Sequence, residues 1–392
     1  MTTDEAHRKG RRVLLVLEAT IGGTRRHLRE LALGLAARGW EVSIAYSNRR
    51  DPEGFARDLS RFAEAGIRCH EIPMARGFAP IGDAKAVRAL RRLLLAHRPD
   101  VLHLISSKAG FIGRIAGWKL GLWTVYAPHC WAFEMDSPLR GFYRFVERAL
   151  RPRTRRLVAV CSHEVRETLR LGYWRGKISR VYNGIEPPAE MPPRNPVRDI
   201  VFIGRASRQK GIDLLPAILA RLREIRPETT MAVLSDVSGP LRVQLESMGA
   251  EILPYAGEAA AAKALSGSRI LLMPSRWEAF PYLVLEAFEH GAAVVASEVG
   301  GIPEAVEDGV NGLLAPPGNV KATTSALLRL LWNPEEGEIF AERAWKTLAR
   351  FPLSAMLDGI ERAYDRDRAR RVPISSNSTP TKSGRADDRR MP

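Results

Sequence analysis

Two glutamates, Glu278 and Glu286, stand eight positions apart in a segment that is otherwise largely apolar. Glu278 follows a buried strand predicted over 270–273, and Glu286 falls within the next predicted helix, among leucine, valine and phenylalanine side chains. A carboxylate in so apolar a helix needs a partner, and the two hydroxyls of a ribose would donate hydrogen bonds to it. An internal ion pair would satisfy the same carboxylate. The segment therefore predicts either a ribose contact or a structural ion pair at Glu286.

Two cations, Arg205 and Lys210, stand five positions apart in the loop 204–211, directly after another predicted strand. A planar guanidinium and the point charge of an ammonium can together hold both phosphates of a diphosphate. If that diphosphate is a leaving group, negative charge develops on it, and fixed cations at that place lower the barrier. The alternative is a solvated loop without a ligand.

A pair of glycines, Gly22 and Gly23, lies between the first predicted strand and the first predicted helix. Without a Cβ, glycine lets backbone N–H groups approach a phosphate at a helix N-terminus, where the helix dipole favours anions. A tight turn between strand and helix is the alternative for this pair.

These residues follow predicted strands in a chain where strands and helices alternate throughout. Apolar runs predict strands over 12–17, 42–46, 101–105, 124–127, 158–160, 199–203, 231–234, 252–253, 270–273, 293–296 and 313–314. Helical periodicity covers 84–96 and 212–226. Such alternation predicts an α/β fold with doubly wound parallel sheets, in which ligands bind at the carboxyl ends of the strands.

Prolines clustered between 187 and 196 interrupt the alternation and predict a linker between two domains. We predict a first domain over 1–186, a linker over 187–198 and a second domain over 199–371, whose last helix packs back on the first domain. The polar residues 372–392 are predicted to be a disordered tail. Two doubly wound domains joined in this way enclose a cleft.

The net charge of +16 is unevenly distributed. Residues 1–188 hold 34 Lys and Arg against 18 Asp and Glu, whereas residues 189–392 hold 26 of each. The asymmetry indicates that the first half faces a polyanion, either nucleic acid or an anionic membrane surface, unless it is a drift in composition. We expect no nucleic-acid binding, because no recognition-helix, zinc or RNA-binding signature accompanies the charge.

Location and metal content follow from what the sequence lacks. It has no run of about 18 apolar residues, and no apolar stretch precedes Val13, so we expect neither a membrane span nor a signal peptide. Cys69, Cys130 and Cys161 are scattered without metal-ligand spacing, as is typical of free thiols in a reducing compartment. Asp365-Arg366-Asp367 has the form of a metal-binding motif, but we expect no metal and no cofactor. The expected location is the cytoplasm.

The motifs together resemble glycosyltransferase family 4, the retaining enzymes of GT-B fold. Glu278 to Glu286 is similar to that family's E-x7-E signature, and residues 297–314 (SEVGGIPEAVEDGVNGLL) are similar to its next block. The loop 204–211, the Asn183-Gly184 pair and the Gly22-Gly23 pair match its remaining motifs in order. The resemblance runs from about residue 12 to 365. It implies two Rossmann-like domains with an interdomain cleft.

The resemblance also implies roles for matching positions. Gly22 and Gly23 would offer backbone N–H groups to the phosphate, and Arg205 and Lys210 would hold the diphosphate. His129 matches the family's histidine at the donor sugar, with a structural or acceptor-side role as the alternative. Glu278 would contact the sugar hydroxyls and Glu286 the ribose, with backbone N–H groups nearby from Phe280, Pro281, Tyr282 and Leu283. Pro281-Tyr282 departs from the family's commoner Gly-Leu.

The activity implied is transfer of a hexosyl group, with retention and without a metal, from a UDP- or GDP-sugar. A lipid-linked saccharide or glycolipid is the implied acceptor, since the resemblance is nearest to bacterial exopolysaccharide and glycolipid enzymes. Arg25, Arg26 and His27 would then lie on the acceptor or membrane side, and we expect a peripheral location on the inner face of the cell membrane. A sugar-nucleotide epimerase of similar architecture is the alternative within the fold.

Overall fold

Strands and helices alternate from Arg12 onward in the computed structural model, which describes residues 10–365. Seven parallel strands form the first sheet: β1 (Arg12–Leu17), β2 (Glu41–Tyr46), β3 (Arg68–Glu71), β4 (Val101–Ile105), β5 (Trp123–Ala127), β6 (Arg156–Ala159) and β7 (Ile178–Arg180). The helices between them are α1 (Gly22–Ala37), α2 (Pro52–Glu64), α3 (Pro80–His97), α4 (Ser107–Ala116), α5 (Arg140–Leu150) and α6 (Ser162–Arg170). The strand order is β3-β2-β1-β4-β5-β6-β7.

A second parallel sheet follows with six strands: β8 (Arg198–Ile203), β9 (Met231–Leu234), β10 (Glu251–Leu253), β11 (Ser268–Met273), β12 (Ala293–Ser297) and β13 (Leu313–Ala315). Its helices are α7 (Leu215–Ile225), α8 (Gly239–Ser247), α9 (Glu258–Ser266), α10 (Tyr282–Glu289), α11 (Ile302–Ala305), α12 (Val320–Trp332), α13 (Pro334–Thr347) and α14 (Leu353–Tyr364). The strand order is β10-β9-β8-β11-β12-β13. The predicted pair of doubly wound parallel-sheet domains is confirmed.

Apolar side chains cover both faces of each sheet, which is why the central strands are continuous apolar runs. In β1, Val13, Leu15 and Leu17 belong to a core with α1, whereas Leu14 and Val16 belong to a core with α3 and α4. All five side chains are at most 1% exposed. The strand is thereby fixed between two layers of helices, and its carboxyl end is held in place.

The strand order reverses between β1 and β4 in the first sheet and between β8 and β11 in the second. In doubly wound sheets the crevice outside the carboxyl ends of the strands at such a reversal binds the ligand. The predicted site residues Arg205, Lys210 and Glu278 lie in the segments that follow β8 and β11, and Gly22 begins the helix that follows β1. The fold therefore directs them to the two binding edges.

The chain crosses between the domains twice at one place. Ile185 donates a backbone hydrogen bond to Phe351 (3.0 Å) and accepts one from Leu353 (2.8 Å). Gly184 is required there, because a Cβ would lie 2.7 Å from the carbonyl oxygen of Pro352. After this crossing α14 packs against the first domain, where Tyr364 is fully buried beside His103 (Oη to Nδ1, 2.7 Å).

The remaining predictions concern the chain end, membrane spans, metal sites and cysteines. The predicted tail at 372–392, and Arg366 and Asp367 of the D-x-D motif, fall outside the described residues. Within residues 10–365, no helix has both the length and the apolarity needed to cross a bilayer. In the same residues no three His, Cys, Asp or Glu side chains are grouped so as to hold a metal ion. The three cysteines are free thiols.

Candidate active site

A cavity of about 1150 Å³ lies between the domains, where the carboxyl edges of the two sheets face each other. Residues from both domains line it, among them Gly22, His129, Arg205, Glu278 and Glu286. The fold thus brings together side chains that are up to about 260 positions apart in the chain, such as Arg26 and Glu286. The cavity is large enough for a ligand of the size that such clefts bind.

Lys210 and Glu278 are in direct contact in this cleft. The Lys210 Nζ lies 2.6 Å from Glu278 Oε1, and the Ser275 hydroxyl donates to the same oxygen at 2.8 Å. Glu278 is buried. The backbone at Gly211 (φ +73°) is left-handed, and a Cβ there would lie 2.1 Å from the carbonyl oxygen of Pro274, so only glycine fits. This close approach fixes Lys210 against the loop that carries Glu278.

The glycines of the SEVGG block hold the Glu278 loop from the other side. Gly300 has φ +59°, and a Cβ on it would lie 1.8 Å from the carbonyl oxygen of Glu278. Gly301 donates its N–H to the Ala279 carbonyl at 2.6 Å. The block after β12 therefore supports the backbone of Glu278.

Arg205 is a cation without a carboxylate partner in the described part of the chain. Its guanidinium makes one long hydrogen bond, 3.4 Å, to Gln209 Oε1. Burial lowers the pKa of Arg205, and the nearby Arg50 and Arg76 lower it further, while Glu278 and Asp236 raise it. An anion bound between these groups would relieve both the desolvation and the repulsion.

Glu286 is paired across the cleft with Arg26 of the first domain. The Arg26 Nη1 lies 2.6 Å from Glu286 Oε1, and the guanidinium lies over the Tyr282 ring, 5.3 Å from its centroid. Both side chains are largely buried, at 15% and 18% exposure. The structure thus finds the ion pair that was the alternative to a ribose contact, and that pair lies on the wall of the cavity.

Gly22 and Gly23 begin α1 at the cavity wall. Gly22 has φ +61°, and Gly23 leaves room for Tyr282, whose Cδ2 would lie 3.6 Å from a Cβ at that position. The helix has no side-chain cap at Ile21 and no acidic residue in its first turn. Its first N–H groups are therefore available to an anion in the cleft.

The segment from Phe280 to Leu283 differs from the prediction in one respect. Pro281 has no backbone N–H and cannot donate, so the proposed contact from that residue is wrong. Leu283 lies in the first turn of α10, and Tyr282 begins that helix. Phe280 is buried, and its carbonyl accepts a hydrogen bond from the Asn183 amide at 2.7 Å. Phe280 therefore fixes the domain junction.

His129 follows β5 in a strained loop. Both His129 (φ +49°) and Cys130 (φ +88°) have left-handed backbone, which is costly for residues other than glycine and is concentrated at functional sites. The His129 Nε2 atom is buried and has no hydrogen-bond partner among the described residues. Burial lowers the pKa of His129 well below its usual range, so the ring is neutral at pH 7.

Arg25, Arg26 and His27 do not form a membrane-facing surface, so the membrane contact predicted for them is wrong, while their place on the acceptor side stays a prediction. Arg25 is bound to Asp58 (2.5 Å) and Asp51 (3.1 Å) on and before α2, and Arg26 is bound to Glu286. His27 is buried, with its ring centroid 4.2 Å from that of His129 and its Nδ1 3.3 Å from the Tyr282 hydroxyl. On the first turns of α1, side chains face the second domain and α2 because the helix lies against the cleft.

The sequence did not identify every cleft residue, and Glu18, Arg50 and Arg76 are among those missed. They follow β1, β2 and β3. Glu18 is buried, its Oε1 has no hydrogen-bond partner within the described residues, and its Oε2 lies 3.7 Å from Arg50 Nη1. Their position at strand ends was the available signal. For Arg76 this signal was hidden, because the short polar strand β3 was not predicted.

Two exposed aromatic side chains of the first domain line the cleft, and further exposed apolar side chains lie near them in the sequence. Phe78 and Phe142 line the cavity, are 49% and 40% exposed, and have ring centroids 5.2 Å apart. Close to them in sequence lie Ile81 (76%) on α3, Leu139 (43%) just before α5 and Phe145 (67%) on α5. Phe142 and Phe145 are three positions apart and so lie on the same side of α5, and Leu139 is the residue immediately before that helix. We call these five residues the apolar rim.

Known protein families match both domains. Residues 22–184 match the model described as glycosyl transferase 4-like domain, and residues 197–333 match the model described as glycosyl transferases group 1. An uncharacterized 41.2 kDa protein in the cps region of Klebsiella pneumoniae is 29% identical over 55% of this chain and 64% of its own length. The match thus covers less than two thirds of that relative.

A relative with a described activity and a solved structure add to this. The UDP-Gal:alpha-D-GlcNAc-diphosphoundecaprenol alpha-1,3-galactosyltransferase of Escherichia coli is 24% identical over 69% of this chain and 77% of its own length. The Anabaena protein Alr3699/HepE in complex with UDP-glucose superposes with a TM-score of 0.73 at 19% identity, covering 90% of this chain and 98% of that one. At that identity the likeness establishes the GT-B fold.

Proposed function

Because the chain belongs to the GT-B glycosyltransferases with a glycosyl transferase 4-like domain followed by a group 1 domain, we propose that it transfers a hexosyl group, with retention, from a nucleotide-sugar to a lipid-linked saccharide or glycolipid. The donor we propose is a UDP- or GDP-sugar. The observation that carries the proposal is the contact of Lys210 with Glu278 beside the guanidinium of Arg205, opposite the first turn of α1.

Each of these groups has a place in the proposed reaction. Arg205 and Lys210 hold the diphosphate, helped by the N–H groups of Gly22 and Gly23. Glu278 accepts hydrogen bonds from hydroxyls of the sugar, and His129 offers its neutral ring on the same side. Lys210 then contacts both the carboxylate of Glu278, which binds the sugar, and the diphosphate. A single ammonium therefore fixes the position of the scissile bond relative to both.

The chemical step exchanges one bond to the anomeric carbon for another on the same face. The bond to the diphosphate oxygen breaks, and the electron pair goes to the leaving group, where Arg205 and Lys210 stabilise the developing charge. The acceptor hydroxyl forms the new bond and gives its proton to the leaving phosphate oxygen. The resemblance implies this route, which needs no enzymic base. The two fixed cations would supply the neutralisation that a divalent ion provides in other enzymes.

Glu286 would hold the ribose hydroxyls next to Arg26. The Arg26 hydrogen bond uses Oε1 of Glu286, and a ribose would share this carboxylate or replace the arginine on it. The ion pair connects the two domains, since Arg26 lies on α1 and Glu286 on α10. Binding of the nucleotide is therefore coupled to how closely the domains approach each other.

We further propose that the enzyme docks on the cytoplasmic face of an anionic membrane through the apolar rim. Exposed aromatic and aliphatic side chains beside basic residues are the combination that interfacial helices present to lipid headgroups. Arg144 of α5 lies in the same helix as Phe142 and Phe145, and its side chain is 42% exposed. The rim replaces Arg25, Arg26 and His27 as the proposed membrane contact, and it would bring the cleft mouth to the acceptor.

The test is a transfer assay with the full chain. Purified enzyme is incubated with UDP- and GDP-sugars and a lipid-diphosphate saccharide, with and without EDTA, and the product's anomeric configuration is determined by NMR. We expect one nucleotide class to support transfer, with retention and without loss of rate in EDTA. Inversion, or a rate that EDTA abolishes and Mg²⁺ or Mn²⁺ restores, would contradict the proposed catalytic class.

A further inference from the structure

We propose that Arg50 and Arg76 form a subsite for a phosphoryl group of the acceptor, at the junction between the cleft and the apolar rim. This inference rests on the proposed function, because it concerns the second substrate of that reaction. Its ligand class is a saccharide carried on a lipid phosphate or diphosphate, rather than a neutral glycolipid.

The topology places the subsite on one edge of the first sheet. Glu18, Arg50 and Arg76 follow β1, β2 and β3, which are neighbours in the sheet order β3-β2-β1. The carboxyl ends of parallel strands meet at the same edge, and all three residues line the cavity. Lys210, Glu278 and Glu286 belong to the opposite wall, in the second domain. The arginines are thus on the first-domain wall, where the donor groups are Gly22, Gly23 and His129, which carry no charge.

The charges on this wall are not balanced. Arg76 makes no hydrogen bond or ion pair with any of residues 10–365, and Arg50 has one carboxylate, Glu18, at 3.7 Å. Burial lowers the pKa of Arg50, and Arg76 lowers it further, while Glu18 raises it. Burial also raises the pKa of Glu18, so this carboxylate is itself poorly solvated. Two guanidiniums with the single carboxylate of Glu18 leave a net positive site, which an anion would stabilise.

The order of groups along the loop 76–78 fits an amphiphile. Arg76 lines the cavity, and Phe78, two residues later, contacts Phe142 in the apolar rim. Lys108 fixes the loop between them: its Nζ donates to the Gly77 carbonyl at 2.7 Å and pairs with Asp83 at 2.6 Å. A ligand with its sugar near Glu18, its phosphoryl group at the arginines and its alkyl chain on the phenylalanines would match each group in turn.

The competing assignment is the donor diphosphate, because Arg50 and Arg76 are close enough to Arg205 to lower its pKa. The two assignments differ in which substrate loses affinity when a charge is removed. They also differ for acceptors with and without phosphate, since only the acceptor subsite distinguishes between these.

The experiment compares Arg76→Gln with Arg49→Gln in the full chain. Arg76 is exposed at the cavity, so its replacement should not disturb folding, and Arg49 is exposed, adjacent to Arg50 and absent from the cavity wall. KM is measured for the donor and for one saccharide in three forms: on a lipid diphosphate, as a soluble phosphate, and as a neutral alkyl glycoside. We expect Arg76→Gln to raise KM about tenfold for both phosphorylated acceptors, as loss of a charged hydrogen bond does. The neutral acceptor and Arg49→Gln should show changes below about twofold.

Four results would overturn the inference. A matching rise in the donor KM would assign Arg76 to the donor diphosphate, and an equal loss for the neutral glycoside would remove the phosphoryl group as the ligand. Arg76→Gln and Arg49→Gln behaving alike would reduce the effect to net charge. Slow donor hydrolysis by the parent enzyme separates failure of the proposed function from failure of the subsite. If the parent enzyme does not hydrolyse any donor, the proposed function itself fails. If it does, and Arg76→Gln leaves the acceptor KM unaltered, only the subsite is rejected.

Discussion

Glu286 is a residue for which the sequence allowed two roles. The sequence context offered a ribose contact or an ion pair, and the structure shows the ion pair with Arg26 on the cavity wall. The partner could not be predicted, because it lies 260 positions away on the other domain. Lys210 and Glu278, in contrast, were predicted as site residues from the loops after their strands together with the resemblance to glycosyltransferase family 4.

Replacing either member of this pair distinguishes the roles. Glu286→Gln removes the carboxylate and the ion pair together, whereas Arg26→Gln removes the ion pair and leaves the carboxylate. If Glu286 holds the ribose, Glu286→Gln should lower kcat/KM for the donor by a factor that corresponds to about 2–4 kcal/mol of transition-state stabilisation. Arg26→Gln should lower it by much less. Donor titrations of both variants measure this. Equal losses in the two variants would show that the ion pair alone matters.

The buried histidines make a second prediction at this scale. Burial lowers the pKa of His27 from 6.5 to about 4, and that of His103 to about 3. Below pH 6.5 the unfolded chain takes up protons at these positions and the folded protein does not, so the free energy of unfolding falls as the pH falls from 6.5 towards 4. For His27 the difference corresponds to ~3 kcal/mol at the lower end.

Urea unfolding at several pH values between 7.5 and 4.5 checks this. The His27→Gln variant lacks one of these titrations and should show a slope of unfolding free energy against pH that is smaller by about one proton. An unchanged slope in the variant would mean that His27 titrates in the folded protein as it does in the unfolded chain.

At the scale of elements, the central strands of both sheets and the edge strands β10 and β13 of the second sheet were predictable, whereas the edge strands of the first sheet were not. Runs such as 12–17, 101–105 and 231–234 coincide with β1, β4 and β9, because both faces of these strands are buried and their sequences are continuously apolar. The strands β3 (RCHE) and β7 (ISR) lie at the two edges of the first sheet, where few side chains enter the core. Their polar sequences carry no strand signal.

The loop that carries Glu278 depends on the glycines after β12. Gly300→Ala would put a Cβ 1.8 Å from the Glu278 carbonyl oxygen, at a left-handed φ of +59°. Gly309→Ala is the matched control, because Gly309 also has a left-handed φ (+71°) but has open space, with nothing within 4 Å, where a Cβ would lie. We expect Gly309→Ala to cost about 1 kcal/mol of stability and to leave kcat unaltered.

For Gly300→Ala we expect a larger loss of stability together with a fall in kcat, because the Glu278 backbone must move away. Chemical denaturation and turnover of the two variants provide the comparison. Indistinguishable behaviour of the pair would mean that the loop accommodates a Cβ, and the positioning role of the glycine would be rejected.

At the scale of the whole molecule, the uneven charge was visible in the sequence, but its distribution in space was not. The excess of cations lies in the first half, yet Arg25 and Arg26 are used in ion pairs around the cleft, and Arg50 and Arg76 line its wall. Exposed apolar residues at the cleft mouth could not be identified from the sequence, because their exposure depends on how α3 and α5 pack.

Membrane docking through the apolar rim is tested by flotation with liposomes. Binding should require an anionic lipid such as phosphatidylglycerol and should fade by about 0.5 M NaCl, because the charges are screened. Phe145→Ser should weaken it, whereas Trp332→Ser, which removes a similarly exposed ring (58% against 67%) from the second domain, should not. Equal binding to neutral liposomes, or equal loss in both variants, would contradict docking through this surface.

The cleft's central assignment is tested most directly by slow hydrolysis of nucleotide-sugars in the absence of acceptor. The full chain, Lys210→Ala and Arg205→Gln are incubated with UDP-, GDP- and ADP-sugars, and unfolding temperatures are measured alongside. Arg205→Gln is included because Lys210→Ala leaves Glu278 buried without its cation, whereas Arg205 has no carboxylate partner in the described chain. We predict that the parent enzyme hydrolyses the sugars of one nucleotide and that both variants lose about 30-fold or more of this rate, as loss of a charged contact to the leaving diphosphate requires. Absence of hydrolysis with every donor, or variants that fold normally and hydrolyse at the parent rate, would contradict the assignment.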